Sequence, residues 1–295
     1  MVVVEKITNG MDIPTCDTPN RVYKALTANA VKNIPAREAK NRRSTTMPMH
    51  KYLLKKDTLD LRDHIFYSAK YKLVEHLPTK VDLRASCSPI VDQGELGSCT
   101  ANAIASGLRE YLELKAGQSL TTLSRLFLYY EERLLEGTVN EDSGAEIRDG
   151  MKVLNQIGVC PEADWPYDIS TFTNPPNNKD VADAAAFKVS EYHRIASLTQ
   201  LKAALAEGLP VVIGIEVYAS FESDEVAKTG IVPIPDKSKE QYLGGHAVLV
   251  VGYDDSRNML IVRNSWGDSW GDKGYCYLPY DYFNQYSSDC WTSQG

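Results

Sequence analysis

From Cys99 to Lys115 the apolar residues Ala103, Ile104, Leu108, Tyr111 and Leu112 recur every three or four positions, and Gly117 follows as a stop. That spacing lines one face of a helix and predicts one that opens on a cysteine. LSRLFLYYEERLLEG (123–137) and GAEIRDGMKVLNQIG (144–158) repeat the pattern, each closing on a glycine. A polar, proline-bearing stretch follows from Trp165 to Lys179, after which Ser197 and Gln200 form a capping-box signal for a short helix. The period then drops towards two in LPVVIGIEV, HAVLVVGY, MLIVRNSW and GYCYLPY, β-rich runs parted by Gly, Asp and Asn turns. The order of periods predicts an α+β chain: a helical lobe first, then a lobe built on an antiparallel, barrel-like sheet. Before about Leu53 there is no long amphipathic helix, only turn-rich and basic pieces, which predicts an extended strap.

Composition adds a division to this picture. The 295 residues are 43% hydrophobic, enough for one large or two modest domains. Residues 1–76 hold 14 Lys and Arg against 8 Asp and Glu, while 77–295 hold 18 against 31. A basic leader is attracted to an acidic body; a leader that serves as a solvated or nucleic-acid-binding arm is the alternative reading. The acidic body argues against nucleic acid as its own partner. No run is long and apolar enough for a membrane span, and MVVVEKITNG is not a secretory signal. Cysteines at 16, 87, 99, 160, 276 and 290 show neither CxxC nor metal-ligand spacing, and there is no HExxH or Walker loop, so no metal or cofactor is expected.

The chemistry concentrates in three segments. QGELGSCTANA places Gln93 six residues before Cys99, and a cysteine on the first turn of a helix feels the dipole and free N–H groups that favour thiolate. GGHAVLVVGYDD brings His246 at the head of a β-run between small residues, and IVRNSWGDSWGDKGY brings Asn264 and Trp266. A thiol, an imidazole to exchange its proton and an amide to orient that imidazole form a nucleophilic constellation. This order of Gln, Cys, His and Asn, with these local motifs, resembles the papain and cathepsin family of cysteine peptidases. The likeness runs from LPTKVDLR at Leu77 to about Tyr280.

The resemblance implies a papain-like two-lobe fold with the active-site cleft between the lobes, and divides the chain into a leader, 1–76, and a catalytic domain, 77–295. It casts Cys99 as nucleophile, His246 as its acid–base partner, Asn264 as the residue that orients the imidazole, and Trp266 as the shield of that bond. Gln93 and the Cys99 N–H become the oxyanion donors. Gly144, Ala145, Gly245 and Ala247 line the substrate groove, and Asp289 falls at the floor of a side-chain pocket, where it is expected to favour a basic residue. Because the leader ends where the likeness begins, it is expected to be an autoinhibitory pro-segment, cut somewhere in 69–78. Protein or peptide substrates and a monomer follow, as does endopeptidase action, since no histidine lies between Cys160 and Phe187. A transpeptidase using the same thioester and an inactive peptide-binding module are the alternatives. The chain departs from the family at Leu96 and in NEDSGAE, where a disulfide would need cysteines, which fits a reducing compartment. It departs also at Thr100, where tryptophan is usual, and at Ala145, where a second glycine is usual. Whether Cys276 and Cys290 pair stays open.

Overall fold

A computed structural model of the protein describes residues 50–68, 70–71 and 76–294. Most of the basic leader, Cys16 and much of the expected cut region lie outside the described residues.

The helical lobe is built on α1, residues 99–115, which is α-helical at Cys99–Ala101, π-helical at Asn102–Arg109 and α-helical again at Glu110–Lys115. The apolar spacing had predicted a plain helix. The wider turn places Asn102 and Ser106 so that their side chains bond the preceding turn, Asn102 Nδ2 to the Ser98 carbonyl and Ser106 Oγ to the Asn102 carbonyl. A stretched turn of this kind is common beside functional residues. Helix α2 (Arg125–Glu136) starts at Ser124, whose hydroxyl accepts the Phe127 N–H, and stops at Gly137 with φ 73°. Helix α3 (Ile147–Gln156) packs across it. A short α4 (Asn178–Ala184) is closed by a capping box from Asn177 and Asp180.

The second lobe is a seven-stranded sheet in the order β2–β7–β3–β4–β5–β6, with β1 paired to β4. Its strands are β1 (Lys80–Asp82), β2 (Glu191–Ile195), β3 (Val211–Tyr218), β4 (Tyr242–Asp254), β5 (Met259–Arg263), β6 (Tyr275–Pro279) and β7 (Ser287–Gln294), all paired antiparallel. Residues 211–215 and 247–251 are buried without alternation, because β3 and β4 lie in the middle of the sheet and are covered on both faces. Helices α5 (Leu198–Ala206), α6 (Asp224–Thr229) and α7 (Tyr280–Tyr286) cover its edges and ends. The Ser197 hydroxyl caps α5 by accepting the Gln200 N–H, while the Gln200 side chain accepts from Ala196 rather than closing the box on Ser197.

Cys276 on β6 and Cys290 on β7 lie on strands separated by three others, and both are free thiols. No helix among the described residues is long and apolar enough to cross a membrane.

Candidate active site

Cys99 and Asn264 sit where an element begins or ends, and His246 sits inside a strand. Cys99 opens α1, His246 lies within β4 opposite Ile215 of β3, and Asn264 follows the last residue of β5. Strands β4 and β5 pair with Leu249 opposite Arg263, so the register carries Asn264 back to His246. His246 Nε2 and Asn264 Oδ1 are 2.8 Å apart. Since the amide oxygen only accepts, this ring nitrogen carries the proton and Nδ1 is left as an acceptor. Nδ1 is buried and has no partner among the described residues. Trp266 stacks on the imidazole with ring centroids 5.1 Å apart, and Trp270 and Phe221 pack behind it.

Cys99 is fully buried, and the Ala247 backbone N–H lies against its sulfur. Burial pushes the thiol up to about 12, against the pull of N–H groups from Ala247, Thr100 and Cys99 itself. Burial also lowers the His246 imidazole to about 4, although Asn264 works to raise it. Burial thus favours the neutral thiol and the neutral imidazole.

Gln93 is fully buried and held on three sides. Its backbone N–H donates to the Ser265 carbonyl, its Oε1 accepts from Ser265 Oγ at 2.6 Å, and its Nε2 donates to the Leu96 carbonyl at 3.1 Å. An amide nitrogen carries two protons, so one remains for an oxyanion.

The loop that lacks the family cysteine is tied down by hydrogen bonds instead. Asp142 Oδ1 accepts from the Gly97 N–H at 3.0 Å and from the Tyr129 hydroxyl at 2.6 Å, joining α2 to the turn that leads into Cys99. The Tyr129 hydroxyl in turn accepts from the Gly144 N–H. Buried Arg133 fixes the rest of the loop through the carbonyls of Val139 and Glu141, and ties it to the separate segment at the Phe172 carbonyl. Thr100, where the family has tryptophan, donates at 2.7 Å to Glu132, a fully buried carboxyl that burial raises well above its ordinary range. Asp142 and Glu132 were not legible in sequence; two cysteines missing at the disulfide positions were the one signal that a substitute clasp was needed.

Of the residues expected to line a groove, Gly144, Ala145 and Gly245 lie against the chain's own residues 53–55. Leu54 N–H donates to the Gly245 carbonyl and Lys55 N–H to the Ala145 carbonyl, both at 3.1 Å, in short parallel pairings at Leu53–Gly245 and Lys55–Glu146. Gly144 and Gly244, at φ +66° and +140°, admit this backbone closely: a Cβ on Gly144 would lie 1.7 Å from the Leu53 carbonyl oxygen, and one on Gly244 2.3 Å from that of Tyr52. The His50 ring stacks on Trp266 at 4.1 Å. Tyr52 is edge-on to His246 at 5.9 Å and its hydroxyl bonds Glu222 at 2.5 Å. Lys55 reaches Glu136. Beyond the groove Phe66 is 2% exposed and its N–H bonds the Arg194 carbonyl.

Asp289, expected at the floor of a side-chain pocket, is paired with Arg194 at 2.8 Å and accepts the backbone N–H of Asp57 at 3.1 Å.

Residues 77–290 match the family described as papain family cysteine protease. An uncharacterized peptidase C1-like protein of Acanthamoeba polyphaga mimivirus is 44% identical over 69% of this chain and 69% of its own length. Cysteine proteinase 1 of Entamoeba histolytica is 32% identical over 67% of this chain and 62% of its own, so the match leaves more than a third of that relative uncovered. Among solved structures, xylellain, a cysteine protease from Xylella fastidiosa, superposes with a TM-score of 0.76 at 40% identity, covering 83% of this chain and 96% of that one. Procathepsin L 3 of Tenebrio molitor larval midgut shares the fold at 23% identity and a TM-score of 0.59, over 82% of this chain and 75% of its own. The chain belongs to the papain family of cysteine proteases.

Proposed function

We propose that this protein is a cysteine endopeptidase that cleaves peptide bonds through a thioester on Cys99, held closed by residues 50–68 until they are displaced. The observation that carries the reading is the pairing of Leu54 and Lys55 with Gly245 and Ala145 beside the His246–Asn264 pair, since a chain there excludes substrate from the thiol.

The desolvation that keeps His246 neutral comes in part from that strap: Tyr52 lies edge-on to the imidazole and His50 on its tryptophan shield. Displacing the strap admits water, which weakens the burial behind these shifts and lets the thiol proton pass to the free Nδ1. The thiolate then attacks the substrate carbonyl, and the oxyanion falls to the Cys99 N–H and the remaining Gln93 Nε2 proton. His246, still held by Asn264, gives its proton to the leaving amine, and later takes one from the water that splits the thioester. Asn264 suffices in place of a carboxylate because the imidazolium already has an anionic partner in the thiolate.

The test is made on the full chain carrying a site-specific protease sequence between Ser68 and His76, folded intact and then cut. Acid-quenched intact mass during turnover of a peptide ester is expected to show one acyl group on Cys99, absent from Cys99→Ala, together with cleavage of peptide amides. A cut protein that neither acylates nor cleaves would refute the reading.

A further inference from the structure

The strap does more than fill the groove: it places two carboxylates on two arginines of the body. Asp57 has a fully buried side chain. Its Oδ1 accepts the Arg148 backbone N–H at 3.1 Å, and its Oδ2 accepts the Trp291 indole N–H at 2.7 Å and faces Arg194 at 3.5 Å. Asp63 holds the Arg148 guanidinium by two bonds, 2.9 and 2.7 Å, and reaches Arg194 at 3.2 Å. Both guanidiniums lie over the Trp291 ring, 5.6 and 5.3 Å from its centroid.

Removing the strap removes both carboxylates at once. Arg194 keeps Asp289, but Arg148, whose side chain is 3% exposed here, keeps only Glu146 at 3.8 Å. The indole N–H of Trp291 has no other partner among the described residues. What remains is a pocket with three unmet donors, one guanidinium edge, an indole N–H and the Arg148 backbone N–H at the start of α3, beside carboxylates Asp289 and Glu146 that lose their own strap donors. Unmet buried donors are costly, and a carboxylate is the side chain that accepts from all of them. A lysine or arginine side chain would bring more donors and meet Asp289 already engaged.

We infer that the opened cleft carries a carboxylate-binding subsite formed by Arg148, Arg194 and Trp291, which selects substrates with an acidic side chain close to the scissile bond. This rests on the peptidase reading given above. Asp57 is the built-in occupant of the subsite, and Asp289, rather than recognising a basic side chain, neutralises Arg194 and anchors the occupant's backbone N–H.

The experiment uses the full chain cut between Ser68 and His76, with Tyr52→Ala to speed departure of the strap. Peptidyl epoxides that alkylate Cys99 are compared with Asp, Asn, Leu or Arg at the second or third residue before the reactive carbon. At one of these positions Asp is expected to inactivate roughly tenfold faster than Asn, the worth of a charge-assisted hydrogen bond, and faster than Arg. Arg194→Met, which frees Asp289, is expected to reverse the order of Asp and Arg, a change that loss of structure alone would not produce. Asp no faster than Asn at both positions, or Arg fastest in the parent protein, would overturn the subsite. Peptide amides of the same sequences separate the two readings. An Asp preference in alkylation without amide hydrolysis would sink the peptidase and keep the subsite, whereas equal hydrolysis of all four would keep the peptidase and sink the subsite.

Discussion

Replacing Tyr52 by alanine should open the cleft without touching the groups proposed for chemistry. The Tyr52 side chain is 7% exposed, lies edge-on to His246 and Trp266, and donates to Glu222. Truncating a buried aromatic ring costs ~3 kcal/mol or more. That cost falls on strap docking, because the ring bridges strap and body. At ~1.4 kcal/mol per decade it raises the open fraction on the order of 100-fold. If alkylation of Cys99 requires opening, an epoxysuccinyl inhibitor should label full-length Tyr52→Ala faster by that factor, up to the rate of the cut protein. Tyr52→Phe, which loses the hydrogen bond to a carboxylate, should gain roughly tenfold. Leu61→Ala, at a side chain 93% exposed on the same strap, should change nothing. Intact mass against time gives the rates, with Cys99→Ala as the unlabelled control. Labelling of Tyr52→Ala at the parent rate would refute the claim that residues 50–57 gate the thiol.

Three further outcomes are expected. The thiol raised to about 12 predicts no thiolate absorbance in the full chain at pH 7, because a raised acid pKa keeps the proton on; cutting should bring the signal into the neutral range, and equal signals before and after would count against the strap as the cause. Gln93→Ala should lower kcat on the order of 100-fold in the cut protein with little change in KM, as expected of a donor used only in the transition state; a pure KM effect would place Gln93 in ground-state binding. Asp142→Ala leaves the Gly97 N–H and the Tyr129 hydroxyl without their acceptor and should cost ~2 kcal/mol of stability by thermal or urea unfolding, with Asn restoring part of it; an unchanged midpoint would show that the loop does not need the clasp.

The candidate site was legible in the sequence because each of its residues is announced locally. Cys99 opens an apolar-periodic helix, His246 sits among small residues at the head of a β-run, and Asn264 precedes a tryptophan-rich turn. The strap was legible only as an absence of periodicity. An extended chain in a groove is specified by its partners, and these lie far off: Tyr52 meets Glu222, Asp57 meets Trp291, and Asp63 meets Arg148. For the same reason Arg148 and Arg194 gave no signal, and neither did the pairing of Asp289 with Arg194. The π-helical stretch of α1 was hidden because apolar residues spaced by three and four do not distinguish a wide turn from a standard one. Distance along the sheet order settled what cysteine spacing had left open, since β3, β4 and β5 stand between Cys276 and Cys290.

The central claim, a papain-family thiol peptidase closed by its own residues 50–68, is tested most directly by following peptide amide hydrolysis while the folded full chain is cut between Ser68 and His76. The account predicts almost no hydrolysis before the cut, a rise in step with the fraction of cut chain, and none at any time in Cys99→Ala. Full activity in the uncut chain would contradict the strap, and activity that survives Cys99→Ala would contradict the thiol.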